Sequence, residues 1–124
     1  MTKKIAIIED DDAISQMYGF KFKAEGFEVE SAENGIKGLE LIEKMKPDII
    51  LLDLMMPEMN GDEMLAKMRE TKWGSKIKVV VLTNLGEEEI PASVKHLGVL
   101  DIVVKAQYTP SQVIDLVKKL LSEK

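Results

Sequence analysis

A run of four acidic residues follows a short apolar stretch near the start of the chain. The segment IAII, residues 5–8, leads directly into Glu9, Asp10, Asp11 and Asp12. Adjacent like charges repel one another, and a cation placed between converging carboxylates relieves that repulsion. Carboxylate oxygens with no histidine or cysteine nearby favour a hard ion, Mg²⁺ before a transition metal. We therefore predict that Glu9 and Asp10 hold Mg²⁺, directly or through bound water. The other two acids are predicted to start a helix, where carboxylates cap free N–H groups.

Three further apolar runs also end in a residue that could take part in chemistry. These runs and the residues that follow them are IILL (49–52) with Asp53, VVVL (79–82) with Thr83, and LDIVV (100–104) with Lys105. The carboxyl ends of parallel strands lie at one edge of a sheet, where ligands bind. We therefore expect carboxylates, a hydroxyl and an ammonium to meet at that edge.

This combination of groups suits phosphoryl transfer to a carboxylate. Asp53 is the candidate nucleophile, since a carboxylate can accept a phosphoryl group to form a mixed anhydride. Lys105 supplies a point charge for a phosphoryl oxygen or for Asp53, and Thr83 supplies a hydroxyl donor. Such a reaction requires mainly positioning and neutralisation of charge, which a metal ion and a lysine provide.

The elements that must position these residues alternate between strands and helices along the chain. Strands are predicted at 5–8, 27–32, 49–52, 79–82 and 100–104, and helices at about 12–25, 35–45, 61–72 and 87–97 and from Thr109-Pro110 onwards. The apolar runs are nearly continuous, which is typical of strands covered on both faces. Alternating strands and helices predict an α/β fold with a parallel, doubly wound sheet and right-handed crossovers. For the last helix, Thr109 and Gln112 form a predicted capping box around Pro110.

Composition sets limits on the class of protein. The chain has 124 residues, a net charge of −5 and no cysteine, which predicts one domain over residues 1–124 without disulfides or cysteine-based metal sites. The acidic balance argues against a nucleic-acid surface. No apolar stretch approaches the roughly 18 residues of a membrane span, and MTKK at the start does not resemble a signal peptide. These features favour a cytoplasmic protein.

The quoted motifs resemble those of the receiver domains of two-component response regulators, the chemotaxis-regulator type. The resemblance covers essentially the whole chain. IAIIEDD is similar to the acidic strand of that family, PDIILLDLMMPEMNG (47–61) to its phosphoacceptor strand and loop, VVVLTN to its switch-hydroxyl strand, and GVLDIVVKA to its lysine strand. The resemblance implies a flavodoxin-like fold with five strands in the order 2-1-3-4-5 and five helices.

The resemblance also implies roles for single residues. Asp53 is the phosphorylated residue, and Mg²⁺ is held by Glu9 (through water), Asp10, Asp53 and the backbone carbonyl of Met55. Thr83 contacts the phosphoryl group and Lys105 pairs with it. The phosphoryl donor is a phosphohistidine on a sensor histidine kinase or phosphotransfer protein. The domain then catalyses only its own phosphorylation and dephosphorylation, and acts on an output protein through the face formed by the fourth helix, fifth strand and fifth helix.

Two positions depart from the pattern of the family. Ile102 stands where the family often has an aromatic residue, three positions before the lysine, and Ala106 stands where it usually has proline. A cis bond before a residue other than proline costs about 2.5–4 kcal/mol. Either the bond before Ala106 is trans and Lys105 is held differently, or the loop is strained.

Three other functions remain open from the sequence. A receiver-like docking module that is never phosphorylated would fit the missing aromatic at Ile102. A phosphohydrolase with an aspartyl-phosphate intermediate commonly has a second acid two residues after its nucleophile, and here that position is Met55. A flavin-binding domain of the same sheet order needs a loop that cradles phosphate after the first strand, where the acidic run would repel it.

Overall fold

Five parallel strands form one sheet in the computed structural model, which describes residues 2–122. The strands are β1 (Lys4–Ile8), β2 (Glu28–Ala32), β3 (Ile49–Leu52), β4 (Lys78–Thr83) and β5 (Asp101–Val104). Their spatial order is β2-β1-β3-β4-β5, which confirms the order implied by the resemblance. The predicted range 1–124 includes Met1, Glu123 and Lys124, which lie outside the described residues.

Five helices connect or follow these strands. They are α1 (Asp12–Ala24), α2 (Gly35–Met45), α3 (Gly61–Arg69), α4 (Ala92–Lys95) and α5 (Pro110–Ser122), with short 3₁₀ turns at Glu87–Glu89 and Lys105–Gln107. The α/β, flavodoxin-like fold predicted from the sequence is therefore confirmed. Within residues 2–122, none of the helices is both long and apolar enough to cross a membrane.

The central strands are buried on both faces, as their continuous apolar runs predict. On one face, Ile8, Leu52 and Val81 belong to a core with side chains of α2, α3 and the α4 region. On the other face, Ile7 and Leu51 belong to a second core with side chains of α1 and α5. The two cores hold the central strands between them, and the carboxyl ends of the parallel strands lie together at one edge of the sheet.

The fourth helix differs from its prediction at 87–97. The segment is divided into a 3₁₀ turn and the four-residue helix α4. Pro91 lacks an N–H, and its ring disfavours helical geometry at the preceding residue. Accordingly, Ile90 has extended backbone angles (φ −74°, ψ 125°) and separates the two pieces.

The third helix also ends earlier than predicted, at Arg69 rather than near residue 72. The hydroxyl of Thr71 donates to the carbonyl of Met68 (2.7 Å) and accepts from the N–H of Gly74 (2.9 Å). These local hydrogen bonds replace helical ones and turn the chain toward β4.

Candidate functional site

Three carboxylates meet at the carboxyl edge of the sheet. Glu9 and Asp10 follow β1, and Asp53 follows the neighbouring strand β3. One oxygen from each side chain lies within 4.8 Å of the other two. Glu9 and Asp53 are 4% and 5% exposed, whereas Asp10 is exposed. The acidic cluster could therefore hold a metal ion that solvent can reach from one side.

Lys105 reaches this cluster from the end of β5. Its Nζ atom lies 2.6 Å from Oε1 of Glu9 and 3.5 Å from Oδ2 of Asp53. The prediction paired Lys105 with Asp53 or with a phosphoryl oxygen, but the shorter contact is to Glu9. One ammonium facing three carboxylates leaves the site with excess negative charge, which a divalent cation would balance.

Burial and charge shift the pKa values of this pair. Burial raises the pKa of Glu9 to about 7; the hydrogen bond from Lys105 opposes this shift, and the charge of Asp53 reinforces it. Burial alone would lower the pKa of Lys105, but Glu9 and Asp53 outweigh that effect and raise it. Lys105 therefore remains an ammonium, while Glu9 can exchange a proton near neutral pH.

Backbone contacts orient the two buried acids. The N–H of Asp53 donates to the carbonyl of Ile8 (2.9 Å), which continues the pairing of β1 with β3 beyond the strand end. The N–H of Met55 donates to Oδ1 of Asp53 (3.3 Å), so its other oxygen, Oδ2, is the one that faces Lys105. Oε2 of Glu9 accepts from the N–H of Asp11 (3.2 Å).

The last two acids of the run begin α1, as predicted. Asp11 is the N-cap residue, and its Oδ1 accepts from the N–H of Ile14 (3.1 Å). Asp12 lies in the first turn of the helix, where its charge opposes the helix dipole. The acidic run therefore divides between the acidic cluster and the helix start.

Thr83 ends β4, the strand between β3 and β5, and is fully buried. Its Oγ1 accepts from the N–H of Leu85 (3.2 Å). A hydroxyl has one donor and two acceptor positions, so this bond leaves the hydroxyl proton available to another acceptor. Met55 has an exposed side chain, and its backbone lies in the loop directly after Asp53.

The two departures from the family pattern have clear structures. Ile102 is half-buried and packs against the core that contains α2 and α3. The described residues contain no cis peptide bond, so the Lys105–Ala106 bond is trans. Lys105 to Gln107 form a 3₁₀ turn. Of the two alternatives left open by the sequence, the trans bond is the one observed.

The sequence reasoning missed one part of the site, the turn between β2 and α2. The sequence predicts a helix at about 35–45 but assigns no role in the site to Asn34 or Gly35. In the structure, they contact Glu58 and Met59 in the loop that follows Asp53. The available signal was the pair Asn-Gly, which predicts a turn but not its distant partner.

The acidic cluster fits Mg²⁺ by the chemistry of its donors. Its three side chains supply carboxylate oxygens, and hard cations prefer oxygen ligands. Mg²⁺ usually takes one or two carboxylates and keeps water or phosphate oxygens in its other positions. The exposed side of the cluster at Asp10 leaves room for such ligands.

Known proteins share this sequence pattern over most of the chain. A family model described as the response regulator receiver domain matches residues 5–118. Sporulation initiation phosphotransferase F of Bacillus subtilis is 33% identical over 121 residues, which cover 98% of this chain and 95% of that protein. Transcriptional regulatory protein SrrA of Staphylococcus aureus is 36% identical over 121 residues, 98% of this chain but 48% of that protein. The chain thus spans about half the length of that regulator.

Solved structures show the same architecture. Chemotaxis response regulator CheY4 of Vibrio cholerae superposes with a TM-score of 0.87 at 25% identity, covering 97% of this chain and 99% of that one. A CheY-like response regulator receiver domain protein from Methanospirillum hungatei gives a TM-score of 0.88 at 27% identity, covering 98% and 94%. The family match, the relatives and the shared fold lead to one conclusion: this chain belongs to the response regulator receiver domain family.

Proposed function

We propose that residues 1–124 form one receiver domain that acts as a phosphorylation-controlled switch, with Asp53 as the phosphoacceptor. The observation that carries this proposal is the environment of Asp53. Its carboxylate is 5% exposed, lies in the acidic cluster, and has Oδ2 3.5 Å from the ammonium of Lys105. A buried carboxylate with a cation on one side and a metal-binding cluster on the other suits a nucleophile for phosphorus.

In the proposed reaction, an oxygen of Asp53 forms a bond to phosphorus while the N–P bond of a phosphohistidine breaks. The electron pair of that bond returns to the imidazole nitrogen of the donor, a sensor histidine kinase or a phosphotransfer protein. Glu9, Asp10, Asp53 and the backbone carbonyl of Met55 would hold Mg²⁺, with Glu9 acting through water. When bound, Mg²⁺ neutralises negative charge on the carboxylates and on the phosphoryl oxygens.

Lys105 and Thr83 would sense the product. A phosphoryl group adds negative charge and acceptor oxygens, which compete with Glu9 for the ammonium of Lys105. The hydroxyl proton of Thr83 can be donated to a phosphoryl oxygen. Thr83 ends β4, which precedes α4 along the chain, and Lys105 directly follows β5, which precedes α5, so their movement would bias the α4–β5–α5 face. A shift from 1:99 to 99:1 requires about 5.5 kcal/mol of differential stabilisation.

The proposed function predicts a protein partner and excludes nucleic acid and membrane as partners. We propose that the output is another protein, and that the domain works in the cytoplasm without direct contact to nucleic acid or membrane. The net charge of −5 supports the absence of a nucleic-acid surface. We also propose that the chain is not an enzyme on other substrates, beyond loss of its own phosphoryl group to water.

Intact-mass measurement after incubation with Mg²⁺ and a small phosphodonor tests this proposal. We expect one phosphoryl group on the wild-type protein, none on Asp53→Asn, and none when a chelator removes Mg²⁺. Asp115→Asn changes an exposed aspartate on α5 and should be modified like the wild type. Equal modification of the wild type and Asp53→Asn would rule out Asp53 as the acceptor.

A docking module that is never phosphorylated is the second candidate, favoured by Ile102. That half-buried side chain packs against the core in place of an aromatic residue that could follow Thr83. Capture of partner proteins by the phosphorylated and unphosphorylated chain separates the two functions. Capture that is the same in both states, together with an unmodified Asp53, would favour the docking module.

A further inference from the structure

We infer that the turn from Ala32 to Gly35, between β2 and α2, positions the loop between Asp53 and α3. Asn34 and Gly35 are the positioning residues. This inference rests on the proposed function, because it assigns these residues a role toward the site at Asp53. It extends the site to a segment that supplies no ligand and no reacting atom.

The segment that follows Asp53 contains a strained turn. Glu58 has a positive φ of 66°, which residues with a Cβ rarely adopt. The N–H of Met59 donates to the carbonyl of Pro57 (2.7 Å), closing a three-residue γ-turn around Glu58. A γ-turn with positive φ is rare and strained, and such strain persists only where surrounding structure holds it.

The far end of this loop is fixed by Gly61. The N–H of Gly61 donates to the carbonyl of Leu54 (3.0 Å). A Cβ at Gly61 would lie 2.1 Å from the carbonyl oxygen of Asp53, so only glycine allows this close approach. This contact joins the two ends of the loop, but it involves no residue from another part of the chain and does not hold Glu58 in place.

The outside support comes from the turn between β2 and α2. The N–H of Gly35 donates to the carbonyl of Met59 (3.1 Å). A Cβ on Gly35 would lie 2.7 Å from both the Cγ atom and the carbonyl oxygen of Met59. The two backbones therefore pack together without room for a side chain, next to the strained γ-turn.

Asn34 adds a second contact from the same turn. It is 4% exposed, and its Oδ1 caps α2 by accepting from the N–H of Lys37 (2.9 Å). Its Nδ2 donates to Oε2 of Glu58 (3.5 Å), the residue with positive φ. One side chain thus ties the start of α2 to the strained residue of the loop.

The same turn also supports the other side of the acidic cluster. The carbonyl of Ala32 accepts from the N–H of Glu9 (3.0 Å). The segment from Ala32 to Gly35 therefore contacts the backbone of Glu9 at one end and the loop after Asp53 at the other. It therefore supports both acid-bearing segments, in addition to the direct pairing of β1 with β3.

Gly35→Ala tests this inference, with Gly19→Ala as the matched control. A Cβ on Gly35 must push Met59 away, whereas a Cβ on Gly19 meets only Val29 Cγ1 at 3.8 Å, an ordinary contact. A misplacement of about 1 Å can reduce a reaction rate by about 100-fold. We expect Gly35→Ala to weaken Mg²⁺ binding and slow phosphorylation of Asp53 by about tenfold or more, and Gly19→Ala to leave both within about twofold.

Three measurements separate positioning from simple loss of stability. Urea unfolding reports the stability of each variant, calorimetric titration with MgCl₂ reports metal affinity, and backbone amide NMR shifts of residues 53–61 report the loop directly. We expect the amide shifts to change in metal-free Gly35→Ala but not in Gly19→Ala. A folded Gly35→Ala with wild-type Mg²⁺ affinity and unchanged loop shifts would overturn the inference.

Asn34→Ser keeps the test decisive if Gly35→Ala fails to fold. Serine retains the N-cap but is too short to reach Glu58, and it adds no charge. We expect shifted amide signals at residues 57–60 and weaker Mg²⁺ binding; wild-type values for both would refute the inference. If the wild type binds Mg²⁺ but Asp53 is not phosphorylated, only the proposed function fails. If Asp53 is phosphorylated and both variants behave like the wild type, only the positioning role fails.

Discussion

Two opposing effects act on the pKa of the Glu9 carboxyl group. Its side chain is 4% exposed, which disfavours the ionised form, and it lies 2.6 Å from the ammonium of Lys105, which favours that form. Burial prevails and raises the pKa of Glu9 to about 7. In the metal-free protein, Glu9 therefore takes up a proton at a pH where an ordinary glutamate is ionised.

This shift predicts that the metal-free protein becomes less stable as the pH rises through the window from 4.5 to about 7. Within that window the native state binds more protons at Glu9 than the unfolded state does, so the free energy of unfolding falls with increasing pH. The contribution is complete below 4.5 and lost above about 7. Urea unfolding in the presence of a chelator, at several pH values across the window, measures the slope.

Glu9→Gln and Glu30→Gln provide the comparison for this prediction. Glutamine at position 9 cannot titrate, so its stability curve should be flatter than that of the wild type. Glu30 is exposed on β2, and its replacement should leave the slope unchanged. Parallel curves for the wild type and Glu9→Gln would show that the proton does not bind at Glu9.

The guanidinium of Arg69 joins α3 to the edge of the sheet where the strands begin, opposite to the edge that carries the acidic cluster. This side chain donates to four carbonyls just before β4 and β5, namely those of Gly74 (3.0 Å), Ile77 (2.8 Å), Leu97 (2.7 Å) and Gly98 (3.3 Å). Burial lowers the pKa of Arg69, but not enough to discharge an arginine. Arg69 therefore fixes the loops at the amino ends of two strands, away from the acidic cluster.

Arg69→Met should lower the free energy of unfolding by about 2 kcal/mol, since hydrogen bonds from a charged donor contribute more than neutral ones. Arg69→Lys keeps the charge but not the planar fork, and should recover less than half of the loss. Because the hydrogen bonds of Arg69 lie away from the acidic cluster, both folded variants should bind Mg²⁺ like the wild type. An Arg69→Met variant that is as stable as the wild type, or that binds Mg²⁺ more weakly, would contradict this structural role of Arg69.

Elements with strong local signals could be predicted from the sequence. The apolar runs predicted the strands, and Thr109 and Gln112 predicted the start of α5, which the structure confirms. The early end of α3 depends on hydrogen bonds of Thr71, and the division of the fourth helix on Pro91. The contacts of Arg69 with Leu97 and of Gly35 with Met59 join segments distant in sequence, so no local pattern could reveal them.

The same distinction applies to the candidate site. The rule for strand ends predicted that Glu9, Asp10, Asp53 and Lys105 meet at one edge, because the sheet alone determines that position. It could not predict that Lys105 lies closer to Glu9 than to Asp53, since that choice depends on side-chain packing. The fold therefore gathers these groups, and the packing of their neighbours decides how they pair.

For the whole molecule, repulsion within the acidic cluster should lower the free energy of unfolding, and bound Mg²⁺ should remove that repulsion. The chain carries 22 acidic and 17 basic residues, and folding brings three of the acids to within 4.8 Å of one another. Like charges at such distances destabilise the compact state, and Lys105 compensates only part of this repulsion. The unfolded chain keeps Glu9 and Asp10 adjacent but separates both from Asp53, so a divalent cation should bind the native state selectively.

Selective binding predicts that Mg²⁺ stabilises the protein by mass action. At a free concentration 100 times the dissociation constant, the free energy of unfolding should rise by about 2.7 kcal/mol. Asp10→Asn removes the exposed carboxylate of the cluster and should abolish most of this gain. Asp12→Asn changes an acid two positions along the same run, in the first turn of α1, and should preserve it. Urea unfolding with and without MgCl₂ measures all three proteins. Equal responses of the two variants would mean that the cation responds to general negative charge rather than to a site that includes Asp10.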